Sequence, residues 1–339
     1  MSPSELLDLW QEMSSDASGA AGFDRRLLDM DAPVGIYACI YWPGGQPGLL
    51  VEGEGIVRPT GGRLPKCRGV RLSHEILRVE PARTIVRILL EDQRLLEIFA
   101  VLAVDLLGVA VSQSTAAEAL RLCTDRIAMW QGLFERIPAD GLSDEAQRGL
   151  FGELWVINDL FLNVLPPADA VAAWIGPDPG NQDFVHRGIA VEVKSSLAKR
   201  HSRLSIANEK QLDETPFRQL VLAHVRLDDG SAQGESLPDL VKLCRDRIGP
   251  DLYAARRFDN SLLEAGYLDA HAPLYADRTW QVSSLRFFHV RHEFPRLTEA
   301  NLPPGVGDIK YSIIADNLVQ YECQLEQLVA SLKEKPHGN

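Results

Sequence analysis

The segment from Asp183 to Lys194 constrains its own structure more closely than any other part of the chain. From position 189 onward, aliphatic residues alternate with Glu192 and Lys194, which predicts a strand with its aliphatic side chains on one face and both charged side chains on the other. The strand follows Arg187-Gly188, and an X-Gly pair is typical of a two-residue hairpin turn, whose central residues take positive φ. The segment therefore predicts a β-hairpin that places Asp183 opposite Glu192.

Two carboxylates that face each other on one side of a sheet repel, so this hairpin needs a compensating positive charge. A divalent cation with oxygen ligands is a natural candidate for that charge. Lys194 would then lie beside the ion, where its ammonium could hold a water molecule or a phosphate oxygen. This arrangement suits metal-dependent cleavage of phosphodiesters, although the same charges could also form an ordinary solvated strand face.

A third carboxylate, Glu153, lies within residues 143–165, which have the pattern of a helix. Ser143 can cap the helix, acidic residues follow in the first turn, and a Pro-Pro pair ends it. The predicted buried stripe consists of Leu150, Leu154, Ile157, Phe161 and Val164. Glu153 lies on or beside this stripe, so its carboxylate needs a partner. That partner could be a shared metal ion, or an arginine such as Arg148 or Arg187.

Five short motifs follow one another along the chain. In order, they are Gly152-Glu153-Leu154, Trp174 with Gly176-Pro177, Asp183-Phe184, Glu192-Val193-Lys194-Ser195-Ser196, and Gln211-Leu212. Their order and spacing resemble the PD-(D/E)XK nuclease superfamily. More narrowly, they resemble an uncharacterised bacterial branch of it, whose genes often lie in restriction and phage-defence clusters. The motifs span about residues 140–230.

The resemblance implies a catalytic role for each residue that matches a motif. Asp183 and Glu192 match the two acidic positions, and Lys194 matches the lysine. Gln182 stands in place of the proline that gives the superfamily its name. Lys194 would orient the attacking water, or help to deprotonate it, and would offset negative charge on the phosphate.

The remaining matches concern the ligands of a metal ion. Glu153 matches the helical acidic residue that often completes the metal site, and Gln211 resembles a polar residue that some branches add from the following helix. The implied ion is Mg²⁺, with Mn²⁺ as a substitute, because hard cations prefer oxygen ligands. Its expected ligands are Asp183, Glu192, Glu153 and the backbone carbonyl of Val193.

The formal net charge of −12 argues against a protein that coats nucleic acid through its overall charge. A nuclease needs a positive surface only in its cleft. Basic residues follow the motif strand, and we predict phosphate contacts for Lys199, Arg200, Arg203 and Lys210. The same residues could also form a solvated basic loop.

The five cysteines are scattered and form no Cys-x-x-Cys pair, which argues against a disulfide framework or a structural zinc site. No run approaches the roughly 20 apolar residues of a membrane helix, and the first residues lack the pattern of a signal peptide. We therefore expect a cytoplasmic protein that does not bind membranes.

Three regions are expected along the chain. Residues 1–112 predict a β-rich domain, with Leu95–Leu107 as one of its strands. Residues 113–235 contain the motifs, and a short helix is expected there at Asn208–Glu214. Residues 236–339 predict an α+β region packed on that core. The resemblance implies an α/β fold of restriction-endonuclease type, with a mixed central sheet flanked by helices.

The leading hypothesis is a metal-dependent DNA endonuclease of a restriction or phage-defence system. One alternative is a repair or recombination nuclease, which would use the same site. Another is a catalytically silent subunit that binds nucleic acid or supports assembly. The sequence has no ATP-binding signature. The family setting therefore suggests a partner ATPase, helicase or methyltransferase, and cleavage of both DNA strands suggests a homodimer.

Overall fold

The chain forms two compact units, Met1–Asp140 and Gly141–Asn339. The computed structural model describes residues 1–15, 22–58, 64, 66–136, 141–176, 182–197, 202–231 and 233–334. The sequence suggests three regions instead, with boundaries after residues 112 and 235. In the structure, the helix after residue 112 belongs to the first unit, and residues beyond 235 share a core with those before it.

The first unit combines an antiparallel sheet with three helices. Its elements are α1 (Pro3–Ser15), β1 (Gly22–Leu27), β2 (Gly35–Trp42), β3 (Gln46–Glu54), β4 (Val70–Leu77), β5 (Arg83–Leu90), α2 (Leu96–Val111) and α3 (Ala116–Arg136). The strands pair in the order β1-β2-β3-β5-β4. Helix α1 packs on β2 and helix α3 on β3, while α2 packs between the other two helices.

The strand expected over Leu95–Leu107 is wrong, because this segment belongs to the 16-residue helix α2. It is apolar at nearly every position, so its periodicity does not distinguish a buried helix from a buried strand. Its length and its content of leucine and alanine favour a helix. Among the described residues, no helix is both long and apolar enough to cross a membrane.

The second unit is built on a mixed central sheet. Its helices are α4 (Asp144–Val156), α5 (Leu162–Val164), α6 (Pro167–Ala173), α7 (Leu237–Ile248), α8 (Leu252–Glu264), α9 (Ala272–Tyr275) and α10 (Leu325–Lys333). Its strands are β6 (Phe184–His186), β7 (Ile189–Leu197), β8 (Arg203–Ile206), β9 (Gln219–Asp229), β10 (Glu235–Ser236), β11 (Thr279–His289), β12 (Tyr311–Ile314) and β13 (Glu322–Cys323). The sheet order is β10-β11-β9-β7-β6, with β13 paired to β11.

Strands β7 and β9 run parallel, whereas β6, β10 and β11 are antiparallel to their neighbours. One face of the sheet packs on helices α4 and α7, and its core includes residues from both halves of the unit, such as Phe151 and Trp280. The opposite face carries a second cluster, to which the two-stranded sheet of β8 and β12 contributes. The fold is therefore a mixed α/β fold with several sheets.

The predicted hairpin is confirmed. His186 pairs with Ile189, and the turn residues Arg187 and Gly188 have φ of 50° and 80°. Positive φ at both positions matches the turn that joins strands most tightly. Continuing this register by one residue beyond the pair of Phe184 and Val191 places Asp183 opposite Glu192, as the alternation predicts.

The helix expected to start after Ser143 is also confirmed, since the Ser143 hydroxyl accepts a hydrogen bond from the amide of Ala146. One π-helical turn, Ile157–Phe161, interrupts it. The short helix expected at Asn208–Glu214 is wrong, because this segment forms turns. The Asn208 side chain accepts hydrogen bonds from the amides of Lys210 and Gln211, which offers the backbone an alternative to a helix.

Gly152 allows helix α4 to approach strand β7 closely. A Cβ added at Gly152 would lie 1.9 Å from the Ser195 hydroxyl oxygen, whereas one added at Gly149, one turn earlier, would meet nothing within 4 Å. Gly152→Ala should lower the free energy of unfolding by about 1–3 kcal/mol through overpacking. Gly149→Ala should raise it by about 0.5–1 kcal/mol through helix propensity. Urea unfolding of both variants measures the difference.

A second substitution tests the cause. Ser195→Ala removes the clashing oxygen, leaving the Cβ of residue 195 at 3.3 Å from the added methyl group. The double variant should therefore recover most of the stability that Gly152→Ala loses. Equal stabilisation by alanine at both glycine positions would contradict this account.

Candidate functional site

The structure brings Glu153, Asp183, Glu192 and Lys194 together beside strand β7. Glu192 and Lys194 extend from one face of β7, Asp183 immediately precedes β6, and Glu153 lies in α4. These three carboxylates and the ammonium of Lys194 interact electrostatically with one another. Residues separated by up to about 40 positions in sequence thus form one charged cluster.

Glu192 is the most deeply buried member of this cluster, with 1% of its surface exposed. Its Oε1 lies 2.7 Å from the Lys194 Nζ. Its Oε2 is buried and accepts no hydrogen bond from any described residue. Burial, reinforced by the negative charge of Asp183, raises the pKa of Glu192 well above its ordinary value. An unpartnered buried carboxylate oxygen is costly, so this position favours a cation.

Asp183 is held by the backbone of the neighbouring strand. Its Oδ2 accepts a 2.6 Å hydrogen bond from the amide of Val193. Burial raises the pKa of Asp183, and the Lys194 ammonium and the Val193 amide offset this only in part. The amide and carbonyl of one strand residue point to the same side. The Val193 carbonyl is therefore directed toward the edge of β7 where Asp183 lies.

Glu153 has an aromatic partner. Its Oε2 accepts a 2.9 Å hydrogen bond from the indole Nε1 of Trp174. Burial, together with the negative charge of Asp183, raises the pKa of Glu153 to about 8. A Cβ added at Gly176 would lie 2.9 Å from Glu153 Oε2 and 3.0 Å from Asp183 Oδ1, so these two oxygens converge on one small space. The alternative partners considered from the sequence, Arg148 and Arg187, do not form this contact.

Lys194 carries the positive charge of the cluster, with 18% of its side chain exposed. Burial by itself lowers the pKa of Lys194, but the carboxylates of Glu192 and Asp183 outweigh it and raise the net pKa above the ordinary value. Lys194 is therefore an ammonium ion in this state. That charge state favours orienting a water molecule and stabilising an anion over accepting a proton.

The donor set has the chemistry of a site for a hard cation. Three carboxylates and one backbone carbonyl supply only oxygen ligands. As the side chains stand, no group of three or more His, Cys, Asp and Glu residues in the described part of the chain is close enough to hold an ion. One oxygen each of Glu192 and Asp183 is bound by protein. The unpartnered Oε2 of Glu192 nevertheless fits a metal ligand.

The other predicted residues contribute less to this cluster. The Gln211 side chain accepts a hydrogen bond from the amide of Ala207, so it closes its own turn, and its catalytic role stays a prediction. The Lys210 Nζ lies 3.6 Å from the Glu299 Oε1, and Arg203 is exposed at the start of β8. Lys199 and Arg200 lie outside the described residues.

Two polar groups near the site were not predicted from the sequence. His224 lies beside Lys194 in the parallel register of β9 and β7, and its Nε2 is 2.8 Å from the Ser196 hydroxyl. Burial lowers the pKa of His224 to about 4, so the ring is neutral. The Tyr311 hydroxyl lies within the electrostatic influence of Lys194 and Glu192. His224 stands in an apolar run and Tyr311 lies over 100 residues away, so neither had a local signal.

Comparison with known proteins identifies a family for this chain. No curated protein and no solved structure matches the chain significantly. Residues 6–316 match the family DUF4420, described as "Putative PD-(D/E)XK family member". The match covers nearly the whole chain and includes every residue of the charged cluster. The chain therefore belongs to the DUF4420 family.

Proposed function

We propose that this protein is a metal-dependent endonuclease that hydrolyses phosphodiester bonds in DNA and acts in a restriction or phage-defence system. The observation that carries the proposal is the buried Glu192, which lies among Asp183, Glu153 and Lys194 and whose Oε2 has no hydrogen-bond partner in the described part of the chain. Membership of a PD-(D/E)XK family supports a nuclease-like fold. The mixed sheet with helices on one face supports a core of restriction-endonuclease type.

The side chains divide into two roles. Asp183, Glu192 and Glu153, with the Val193 carbonyl, would hold Mg²⁺ or Mn²⁺. When bound, the ion neutralises charge on the phosphate and lowers the pKa of a coordinated water. Lys194 would orient the attacking water and stabilise negative charge that develops on the phosphate.

DNA would reach the cluster across a basic surface. Arg203 and Lys210 are exposed cations, and Lys199 and Arg200 lie close to Arg203 in sequence. Phosphate contacts of this kind position a nucleic acid without reading its sequence. We propose that a partner ATPase, helicase or methyltransferase supplies target selection, and that two copies cooperate to cut both DNA strands.

Cleavage of supercoiled plasmid and linear DNA tests the proposal. The purified protein should cut with Mg²⁺ or Mn²⁺ and should not cut in EDTA. Asp183→Ala should lower the rate by about 10²–10³-fold, because it removes a metal ligand whose other oxygen is fixed by the Val193 amide. Asp277→Ala, at an exposed aspartate of the same unit, should cut like the wild type.

Two outcomes would oppose the proposal. Intact DNA with either metal, at protein concentrations in excess of DNA, would favour a silent binding subunit. Equal cleavage by the Asp183→Ala variant would show that the activity arises elsewhere or from a contaminant.

A further inference from the structure

We infer that Trp174 is a positioning residue for Glu153: its indole N–H holds this carboxylate beside Asp183, where both would serve as ligands of a divalent cation. The inference rests on the proposed function, and it assigns a role that the family match does not give. Trp174 belongs to a motif that marks the resemblance, but the sequence by itself suggests no chemistry for it.

Glu153 needs a restraint. It lies in helix α4, whereas Asp183 precedes strand β6, and Glu153 Oε2 and Asp183 Oδ1 converge on the same small space, where like charges repel. An unrestrained glutamate has three rotatable bonds and would turn away from the aspartate. The 2.9 Å hydrogen bond from the Trp174 Nε1 opposes this motion.

A neutral donor is well suited to this task. Arginine or lysine at the same place would also hold the carboxylate, but its charge would compete directly with a bound cation. The indole N–H is a donor only and carries no charge. It donates to Oε2 of Glu153 without adding a positive charge that would compete with a cation.

Both the side chain and the backbone of Trp174 are held in place. Its side chain is 1% exposed, and its ring lies 5.7 Å from that of Phe258. Its backbone forms a bridge with Phe184, and the next amide, Ile175, donates a 2.9 Å hydrogen bond to the Asp183 carbonyl. One short segment therefore contacts both Glu153 and Asp183.

Gly176 completes this segment. The space that a Cβ would occupy there is bounded by Glu153 Oε2 at 2.9 Å and Asp183 Oδ1 at 3.0 Å. A larger residue would push the two carboxylates apart. The tryptophan that holds one carboxylate and the glycine that makes room for both lie two positions apart in sequence.

A titration with Mn²⁺ alone tests the inference without any need for cleavage. Binding is measured as the loss of the electron paramagnetic resonance signal of free Mn²⁺. Trp174→Phe keeps an aromatic ring and deletes the N–H. We expect the Kd for Mn²⁺ to rise about 10-fold, since removing a group that orients a metal ligand typically costs 10–100-fold in affinity. The readout separates a positioning role from a contribution to folding.

Trp280 supplies a matched control. It is also 1% exposed and lies in the same unit, but its Nε1 has no hydrogen-bond partner among the described residues. Trp280→Phe should therefore leave the Kd for Mn²⁺ unchanged. A double-mutant cycle adds a second check: in a Glu153→Ala background, Trp174→Phe should have no further effect on this Kd.

The outcomes distinguish the inference from the proposed function. Wild-type binding that Trp174→Phe leaves unchanged would overturn the positioning role alone. The positioning role would also be overturned if Trp280→Phe raised the Kd for Mn²⁺ as much as Trp174→Phe does. The same holds if Trp174→Phe raised this Kd by its full factor in the Glu153→Ala background, because either result would show a general packing effect. A wild-type protein that binds no Mn²⁺ would overturn both the inference and the metal-dependent function.

Discussion

Replacing Lys194 by alanine should lower the rate of DNA cleavage by about 10³-fold. The ammonium lies 2.7 Å from Glu192 Oε1, and we propose that the phosphate binds beside it. Its loss removes a preorganised charge that would stabilise the transition state, an effect typically worth 10²–10³-fold. It also leaves the buried Glu192 without its cation, which disturbs the metal ligands. Single-turnover cleavage at saturating Mg²⁺ measures this rate.

Two further substitutions at position 194 separate the effect of the positive charge from the effect of the geometry of its hydrogen-bond donors. Lys194→Met keeps a stem of similar length without charge and should be as inactive as Lys194→Ala. Lys194→Arg keeps the charge, but its planar guanidinium places its donors differently, so we expect it to recover only a small part of the rate.

Lys242 offers a control, because its side chain is 76% exposed and pairs with Asp246 one helical turn away. Lys242→Ala should cut DNA at the wild-type rate. Cleavage by Lys194→Ala within a few fold of wild type would remove Lys194 from the proposed catalytic centre.

Glu153→Gln should have opposite effects on stability and on activity. Without metal, the ionised Glu153 is disfavoured by burial and by the charge of Asp183. An amide removes that charge, while its oxygen can still accept the hydrogen bond from Trp174. We expect the free energy of unfolding to rise by about 1–3 kcal/mol without metal, and cleavage to fall by about 10²-fold. Chemical denaturation in EDTA measures the first effect.

The pH dependence of stability follows from the direction of the shift. The pKa of Glu153 rises from an ordinary value of 4.5 to about 8 in the folded protein. The contribution of the neutral Glu153 carboxyl to the free energy of unfolding is therefore fully present below pH 4.5 and is lost as the pH rises toward 8. Over this range, the stability of the wild type should decline more steeply than that of Glu153→Gln.

Glu293→Gln is the matched control, at an exposed glutamate of the same unit. It should leave both stability and cleavage unchanged. A metal-free Glu153→Gln variant less stable than the wild type would show that the carboxylate contributes more through its contacts than it loses through repulsion.

The hairpin of β6 and β7 could be predicted from the sequence because its determinants are local. Alternation sets which side chains share a face, and the Arg187-Gly188 turn sets the register, so the positions of Asp183, Glu192 and Lys194 follow within 12 residues. The cap at Ser143 is equally local.

The local sequence pattern did not predict the secondary structure of segments whose pattern fits two structures equally well. The apolar run after Leu95 suits a buried strand or a buried helix, and only its packing between α1 and α3 selects the helix. The polar segment after Asn208 has the composition of a helix or a turn, and hydrogen bonds from its own side chain select the turn.

The sequence by itself therefore determined which charged residues share the face of β7, since strand periodicity and turn chemistry act over a few residues. It also indicated that Glu153 needs a partner, because a carboxylate beside an apolar stripe cannot remain alone. Only the tertiary structure decided that this partner is Trp174, that Glu192 Oε2 has none among the residues described, and that His224 lies beside Lys194. These contacts join segments far apart in the chain, and their geometry depends on the packing of α4 and β9 against β7 and of α6 against β6.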